Sequence, residues 1–517
     1  MEIVENKALR FRVRDASKFG IIPKHYTTPI PGGHEVTVFW GLDESRVLKN
    51  MGFKDIPSPI ERKYHWPGRY KPMSHQRTMA GFLTMHRRAF NFGDPGIGKT
   101  LSALWAADYL MARGEVRRCL VICPLSIMHS AWMGDITNSV LHRSAIVAHH
   151  AQASRRIEMI QGDYEFVIIN YEGVALVADE IKNDGRFDLI IVDESNAYSN
   201  AATRRWKALV KIIRPDTFLW LMTGTPAAQS PVHAYGMAKL VNPTGVPNYM
   251  TAWRDKVMNK ITMFKWAPKT TAKDTVFAAL QPAIRFTKEQ CLDLPPVVTV
   301  TREVPMTAMQ QKYYDKIRHD MLVMVAGQTI SAVNKAAVVS KLLQVSCGSA
   351  YTEEHDVIEF DAAPRMRLLV EILEDTDRKV LIFAMFRSSI NAIVAYLTKA
   401  GYAVDTIHGG VAAGRRGEII NRFQNTPDPR VLVMQPQATA HGITLTAADT
   451  VIFFGPLMSI ELYVQCIARS DRKGQTSDKV TVIHIQSSPI EKKMFAAMGE
   501  KVSEHALLTM MFDEEIK

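Results

Sequence analysis

The chain has 517 residues, 47% of them hydrophobic and 22% charged, the balance of a soluble globular protein with roughly two to four domains. Its 63 lysines and arginines against 52 acids give a net charge of +11, which favours a polyanionic partner such as nucleic acid over a plain solubilising excess. With no signal core, no apolar run near the ~20 residues of a membrane span, and no zinc or disulfide spacing among Cys119, Cys123, Cys291, Cys347 and Cys466, a soluble, cytoplasmic protein is expected.

Residues 1–65 stand apart. Leu9-Arg10-Phe11-Arg12-Val13-Arg14 alternates strictly, which predicts a strand with one apolar and one arginine face, and 34–40 reads as a second strand. A small β-containing accessory module is expected. Its arginine face suits either phosphates or plain solvent.

From 66 to 240, apolar runs at 89–92, 119–123, 166–169, 189–192 and 218–222 alternate with helix-like stretches such as 127–137 and 203–213, the pattern of a parallel sheet covered on both faces. The first run enters Gly93-Asp94-Pro95-Gly96-Ile97-Gly98-Lys99-Thr100, a full match to the phosphate-loop pattern. Gly93, Gly96 and Gly98 let backbone N–H groups turn toward phosphate oxygens, Lys99 reaches the β- and γ-phosphates, Thr100 ligates Mg²⁺, and the following helix presents its N-terminus. The run at 189–192 ends in Asp193-Glu194: in phosphate-loop ATPases such an Asp holds Mg²⁺ and the Glu orients the attacking water. Thr223-Gly224-Thr225-Pro226 closes the last run as a small polar turn.

Residues 241–360 read as a helical insertion, with helix-like stretches at 309–325 and 331–346 and an extended Leu294-Pro295-Pro296. A basic run, Arg254, Lys256, Lys260, Lys265, Lys269 and Lys273, meets only Asp255 in opposition; it is a solvated face or a nucleic-acid contact. From 361 to 517 the alternation returns, with strands at 380–383, 404–408, 431–434, 451–454 and 480–485 and helices at 388–399, 415–423 and 460–469. Gln465, Arg469 and Arg472 fall at helical spacings, on one face of one helix, and two arginines so placed can act as arginine fingers on a γ-phosphate.

These elements in this order resemble the superfamily-two helicases, and more closely their Swi/Snf-like branch of DNA-translocating ATPases. Ser74-His75-Gln76-Arg77 is similar to the adenine-reading glutamine element. Pro124-Leu125-Ser126 with Trp132 looks like motif Ia, Ile169-Asn170-Tyr171-Glu172 like motif Ib, and Thr223 to Pro226 is motif III. Phe383 to Arg387 stands at motif IV, His408-Gly409-Gly410 with Arg415-Arg416 at the L-x-G element, and His441 to Asp449 resembles motif V. Gln465 to Gln475 matches the branch's Q-x-x-x-R-x-x-R-x-G-Q, and Glu289 to Pro296 its D-L-P-P stretch. The likeness covers about residues 70–500. Two departures stand out: Ser195-Asn196 replaces the usual small residue and His, and Asp94-Pro95 the usual Glu-Met.

The resemblance implies an α/β fold of two tandem RecA-like parallel-sheet lobes, 66–240 and 361–517, that close on ATP and Mg²⁺. It implies Lys99, Asp193, Glu194, Arg469 and Arg472 as catalytic, with Gln76, Gly93, Gly96, Gly98, Thr100, Gly442 and Gln465 on the nucleotide. Ser126, Asn170, Tyr171, Arg387, His408 and Thr444 are then the nucleic-acid contacts. The expected function is a monomeric ATP-dependent motor on duplex or branched DNA, without base specificity. A strand-separating helicase is the alternative. An RNA helicase is disfavoured by Thr-Gly-Thr-Pro, a non-hydrolysing scaffold by the intact Walker residues, and a nuclease by the lack of a motif.

Overall fold

The computed structural model describes residues 1–499 apart from 225, 227–229, 263–265, 292–294, 328–331, 353–355, 440–442 and 473; for 130, 320–327, 332–336, 413 and 439 it describes the backbone alone. It divides into two compact units, one built from residues 1–227 and 231–291, the other from 228–230 and 292 onward.

The first unit opens with a four-stranded antiparallel sheet, β1 (Glu2–Val4), β2 (Ala8–Val13), β3 (His25–Ile30) and β4 (Gly33–Phe39), in the order β1-β2-β4-β3. The alternation in β2 works as expected. Leu9 and Phe11 pair across to Val38 and Val36 and are buried with Phe19, Ile22, Trp40 and Leu48, while Arg10 and Arg12 sit opposite Thr37 and Glu35 on the other face.

Next come β5 (Arg88–Asn91), β6 (Arg118–Cys123), β7 (Ala145–Val147), β8 (Phe166–Asn170), β9 (Phe187–Val192) and β10 (Phe218–Met222). After an antiparallel hairpin of β11 (Met258–Lys260) and β12 (Trp266–Pro268), the short β13 (Ala283–Ile284) joins the same sheet. The order is β13-β5-β10-β9-β6-β8-β7, every pair parallel. Strands β6, β8 and β10 are buried along their whole length, which is why they read as unbroken apolar runs. Cys119 and Cys123 are core residues of β6, and burial pushes both thiols well up.

The second unit carries a parallel sheet of β14 (Val297–Glu303), β17 (Lys379–Phe383), β18 (Val404–Ile407), β19 (Val431–Met434), β20 (Ala448–Phe453) and β21 (Val480–Gln486), ordered β14-β21-β20-β17-β19-β18, with a small hairpin of β15 (Ser349–Tyr351) and β16 (Val357–Glu359) beside it. Both units are thus RecA-like parallel sheets with helices on their faces. The stretch 241–360 is shared between them, because β13 extends the first sheet and β14 the second. Among the described residues no helix is long and apolar enough to cross a membrane.

A buried ion pair ties the second sheet's helices. Arg365 Nη2 donates to both Glu491 oxygens at 2.8 Å, and the Ser487 and Ser488 N–H groups donate to Glu491 Oε2 at 2.7 and 3.1 Å. Burial pushes the adjoining Cys347 thiol up to about 12, so it stays protonated there. Removing one partner strands the other charge in the core. Glu491→Ala should therefore lose about 3–5 kcal/mol in denaturant titration, and Arg365→Met/Glu491→Leu should recover most of it.

Candidate functional site

The C-terminal ends of β5, β6, β8, β9 and β10 bring residues 93–100, 124–126, 170–171, 193–194 and 223–224 to one edge of the first sheet, where parallel sheets bind ligands. The phosphate loop leaves β5 with the Gly93 N–H held by Asn91 Oδ1 at 3.2 Å. Gly96 and Gly98 have φ of +89° and +86°, the left-handed region that turns successive N–H groups inward as an anion nest. Gly98 is the N-cap of the helix Lys99–Ala112, and Lys99 Nζ donates to the Gly93 and Asp94 carbonyls at 2.7 and 3.1 Å, folding its charge across the loop.

Three further groups brace the loop. His75 Nε2 and Gln76 Nε2 both donate to the Ile97 carbonyl, at 2.9 and 3.3 Å, while Gln76 Oε1 accepts from the Met73 N–H at 2.9 Å. The Gln76 amide, expected to read adenine, is thus engaged by backbone at both ends and packs on Gly98. Asp94 Oδ2 accepts from the Lys288 N–H at 3.2 Å, and Pro95 lies where a Cβ on Gly224 would sit 2.7 Å from its ring. Motif III is therefore packed directly on the phosphate loop, with Thr225 outside the described residues.

Asp193 is buried at the end of β9. Its Oδ2 accepts from the Trp132 indole N–H and its Oδ1 from the Glu194 N–H, both at 3.0 Å. Burial raises its carboxyl above the ordinary range, against the pull of the Lys99 ammonium and these two donors. Glu194 has φ of +47°, a left-handed conformation rare for a non-glycine and typical of functional sites. Asn196 is half-buried in the following 3₁₀ turn. A buried carboxylate and a threonine hydroxyl are the hard oxygen donors that Mg²⁺ takes, and the nest fits a polyphosphate: the residues present suit both groups.

Several expectations change. Asn170 and Tyr171 are buried, not open to a ligand. Asn170 Nδ2 donates to Glu172 Oε2 at 3.2 Å, and the Tyr171 hydroxyl donates to the Asp193 and Glu194 carbonyls at 2.7 and 3.3 Å. The helix expected over 127–137 is a 3₁₀ turn (Leu125–Ile127), a π-helical turn (Met128–Met133) and a short α-helix (Gly134–Ser139). Ser126 is exposed on the first of these.

In the second unit the helix Ile460–Ile467 carries Gln465 but ends before the arginines, so the three do not share one helix face. The Arg469 and Ser470 N–H groups turn back to Cys466 and Ile467 carbonyls three residues away, and Leu445 N–H donates to the Arg469 carbonyl at 2.9 Å, docking this turn on motif V. Arg469 Nη1 donates to the Ile443 carbonyl at 3.1 Å and Arg472 Nη1 to Thr444 Oγ1 at 3.3 Å. The turn thus gathers Arg469, Arg472 and Thr444; Gly442 lies outside the described residues. Arg387 is exposed at the first turn of the helix Arg387–Lys399, and burial followed by the charges of Arg387 and Arg416 lowers the His408 imidazole below its ordinary value.

The family model of the SNF2-related domain matches residues 75–349, more than half of the chain. The chain belongs to the SNF2-related family. The model of the helicase conserved C-terminal domain matches 364–474. Mouse chromodomain-helicase-DNA-binding protein 1-like is 23% identical over 426 residues, 79% of this chain and 46% of that protein. The SWI/SNF-related matrix-associated actin-dependent regulator of chromatin subfamily A-like protein 1 homolog of Caenorhabditis elegans is 27% identical over 410 residues, 75% of this chain and 54% of its own length. This SNF2-related chain therefore spans about half the length of these relatives. Among solved structures, the Sulfolobus solfataricus SWI2/SNF2 ATPase core in complex with dsDNA aligns with a TM-score of 0.42 and 20% identity, over 87% of this chain and 97% of that one.

Gly98 offers a local test. A Cβ there would lie 1.9 Å from Gln76 Nε2, on a left-handed backbone. Gly98→Ala should weaken binding of a fluorescent ATP analogue at least about tenfold, or 1.4 kcal/mol. Gly114→Ala, at φ +73° with nothing within 4 Å, carries the same kind of backbone strain and should leave that affinity unchanged.

Proposed function

We propose that this chain is an ATP- and Mg²⁺-dependent motor that works as a monomer in the cytoplasm. In this reading it grips duplex or branched DNA by its phosphates and steps along it without reading bases. The observation that carries the reading is the braced phosphate loop beside the buried Asp193 and strained Glu194, in an SNF2-related chain whose second unit gathers Arg469 and Arg472 on motif V.

Bound ATP would supply the phosphoryl group and Mg²⁺ would neutralise its oxygens. Lys99 would exchange the Gly93 and Asp94 carbonyls for phosphate oxygens, and Gly93, Gly96 and Gly98 would present backbone N–H groups. Thr100 and Asp193 would hold the metal, and Glu194 would orient the attacking water. Gln465, Arg469 and Arg472 would meet the γ-phosphate charge. Gln76 would read adenine only after releasing Met73 and Ile97. The exposed Ser126, Arg387 and Thr444, with His408, are the proposed phosphate grips; Asn170 and Tyr171 are left out of the proposal because their side chains are engaged by Glu172 and by the Asp193 and Glu194 carbonyls.

ATP hydrolysis should be compared with duplex DNA, single-stranded DNA and RNA at equal nucleotide concentration. Duplex should stimulate most, and rising salt should weaken its binding steeply through counterion release. Glu194→Gln should still bind ATP while turnover falls about 10²-fold or more, and Arg469→Ala should cut it about 10³-fold with duplex affinity retained. Stimulation by RNA above duplex, or normal turnover by Glu194→Gln, would overturn this reading.

A further inference from the structure

Six tryptophan indole N–H groups among the described residues donate hydrogen bonds, five of them to the same kind of acceptor. Trp40, Trp105, Trp206, Trp220 and Trp253 donate to the backbone carbonyls of Pro57, Pro67, Gly236, His86 and Pro231. Trp132 differs: fully buried, it donates to a carboxylate, Asp193 Oδ2, at 3.0 Å. It stands in a π-helical turn, a rare conformation that recurs at functional sites, directly after the exposed Leu125 and Ser126. Tyr171 makes the complementary contact. Its hydroxyl donates to the carbonyls of Asp193 and Glu194, on either side of the residue held at φ +47°. Arg205 lies over the Tyr171 ring at 5.8 Å and 3.4 Å from Glu172, so the Tyr171 segment is tied to the surface as well.

We infer that Trp132 and Tyr171 are positioning residues that fix the Asp193–Glu194 acid pair and transmit to it the placement of the 125–133 and 170–176 segments. This rests on the motor reading, in which DNA docks on the first of those segments. One donor sets the Asp193 carboxylate and the other sets the backbone of both acids, so a rigid shift of either segment must move the acid pair or break a buried hydrogen bond. Breaking it leaves a buried polar group unsatisfied, which protein interiors avoid.

The test uses the full chain with Trp132→Phe and Tyr171→Phe, which keep an aromatic ring and remove the donor. The kcat and KM for ATP are measured with and without saturating duplex, alongside duplex affinity by fluorescence anisotropy and thermal midpoint. The Mg²⁺ dependence of fluorescent ADP-analogue binding is read as well. The inference expects duplex-stimulated kcat to fall about 10–100-fold, the range for lost orienting partners of ligating carboxylates. KM for ATP at saturating Mg²⁺ and duplex affinity should hold, the thermal midpoint should fall no further than in Trp220→Phe, which also loses a buried indole donor, and Trp132→Phe should need more Mg²⁺ to bind the analogue. Trp220→Phe, which loses a carbonyl partner of purely structural kind, should leave the stimulation ratio intact. If the unsubstituted protein is stimulated by duplex and both variants keep its ratio of stimulated to unstimulated rate, the inference fails while the motor reading stands. If duplex does not stimulate the unsubstituted protein, the motor reading fails and takes the inference with it.

Discussion

A carboxylate buried at the end of a parallel strand is the constraint around which the first unit is arranged. Burial disfavours the Asp193 charge, and the fold answers with the Trp132 indole, the Glu194 N–H and the nearby Lys99 ammonium. Burial still outweighs these partners, so the carboxyl stays raised. In the proposed reading a bound Mg²⁺ would supply the further positive charge, beside a loop whose Gly96 and Gly98 turn their N–H groups as an anion nest does.

The parallel sheet makes this arrangement possible. Because every pair in the order β13-β5-β10-β9-β6-β8-β7 is parallel, the phosphate loop, Asp193 and Thr223 leave neighbouring strands at the same edge. Hydrogen bonds carry that alignment into the loops: Asp193 N–H donates to the Ile122 carbonyl and Thr223 N–H to the Asn91 carbonyl. Even the edge strand contributes, since 282–286 continues alongside β5 until Asp94 N–H reaches the Phe286 carbonyl at 3.0 Å. A segment expected as insertion thus supports the loop from the side. The second unit repeats the principle, with the arginine turn seated on 443–448.

Much of this was legible in the sequence for definite physical reasons. Strands buried on both faces must be continuous apolar runs, so β6, β8, β9 and β10 announce themselves, and a phosphate nest needs glycines where φ is positive, so Gly96 and Gly98 do too. The strict alternation of Leu9 to Arg14 gave one face away for the same reason. What stayed hidden depends on tertiary context. Tyr171 lies in a motif associated with nucleic acid, and only the packing shows its hydroxyl turned onto the acid pair. Helical spacing could not reveal that Ile460–Ile467 stops short of Arg469, because the 443–448 segment captures the turn. Strand β13 has two residues and β14 exposes Val297 and Val298, so neither carries a buried-strand pattern.

In the proposed reading, hydrolysis drives movement along duplex DNA. Displacement of a third strand from a blunt duplex, followed in parallel with opening of a forked duplex, measures this directly. A motor that tracks duplex should displace the third strand only with ATP and open the fork little. Efficient fork opening without triplex displacement would contradict that reading and make strand separation the protein's principal work.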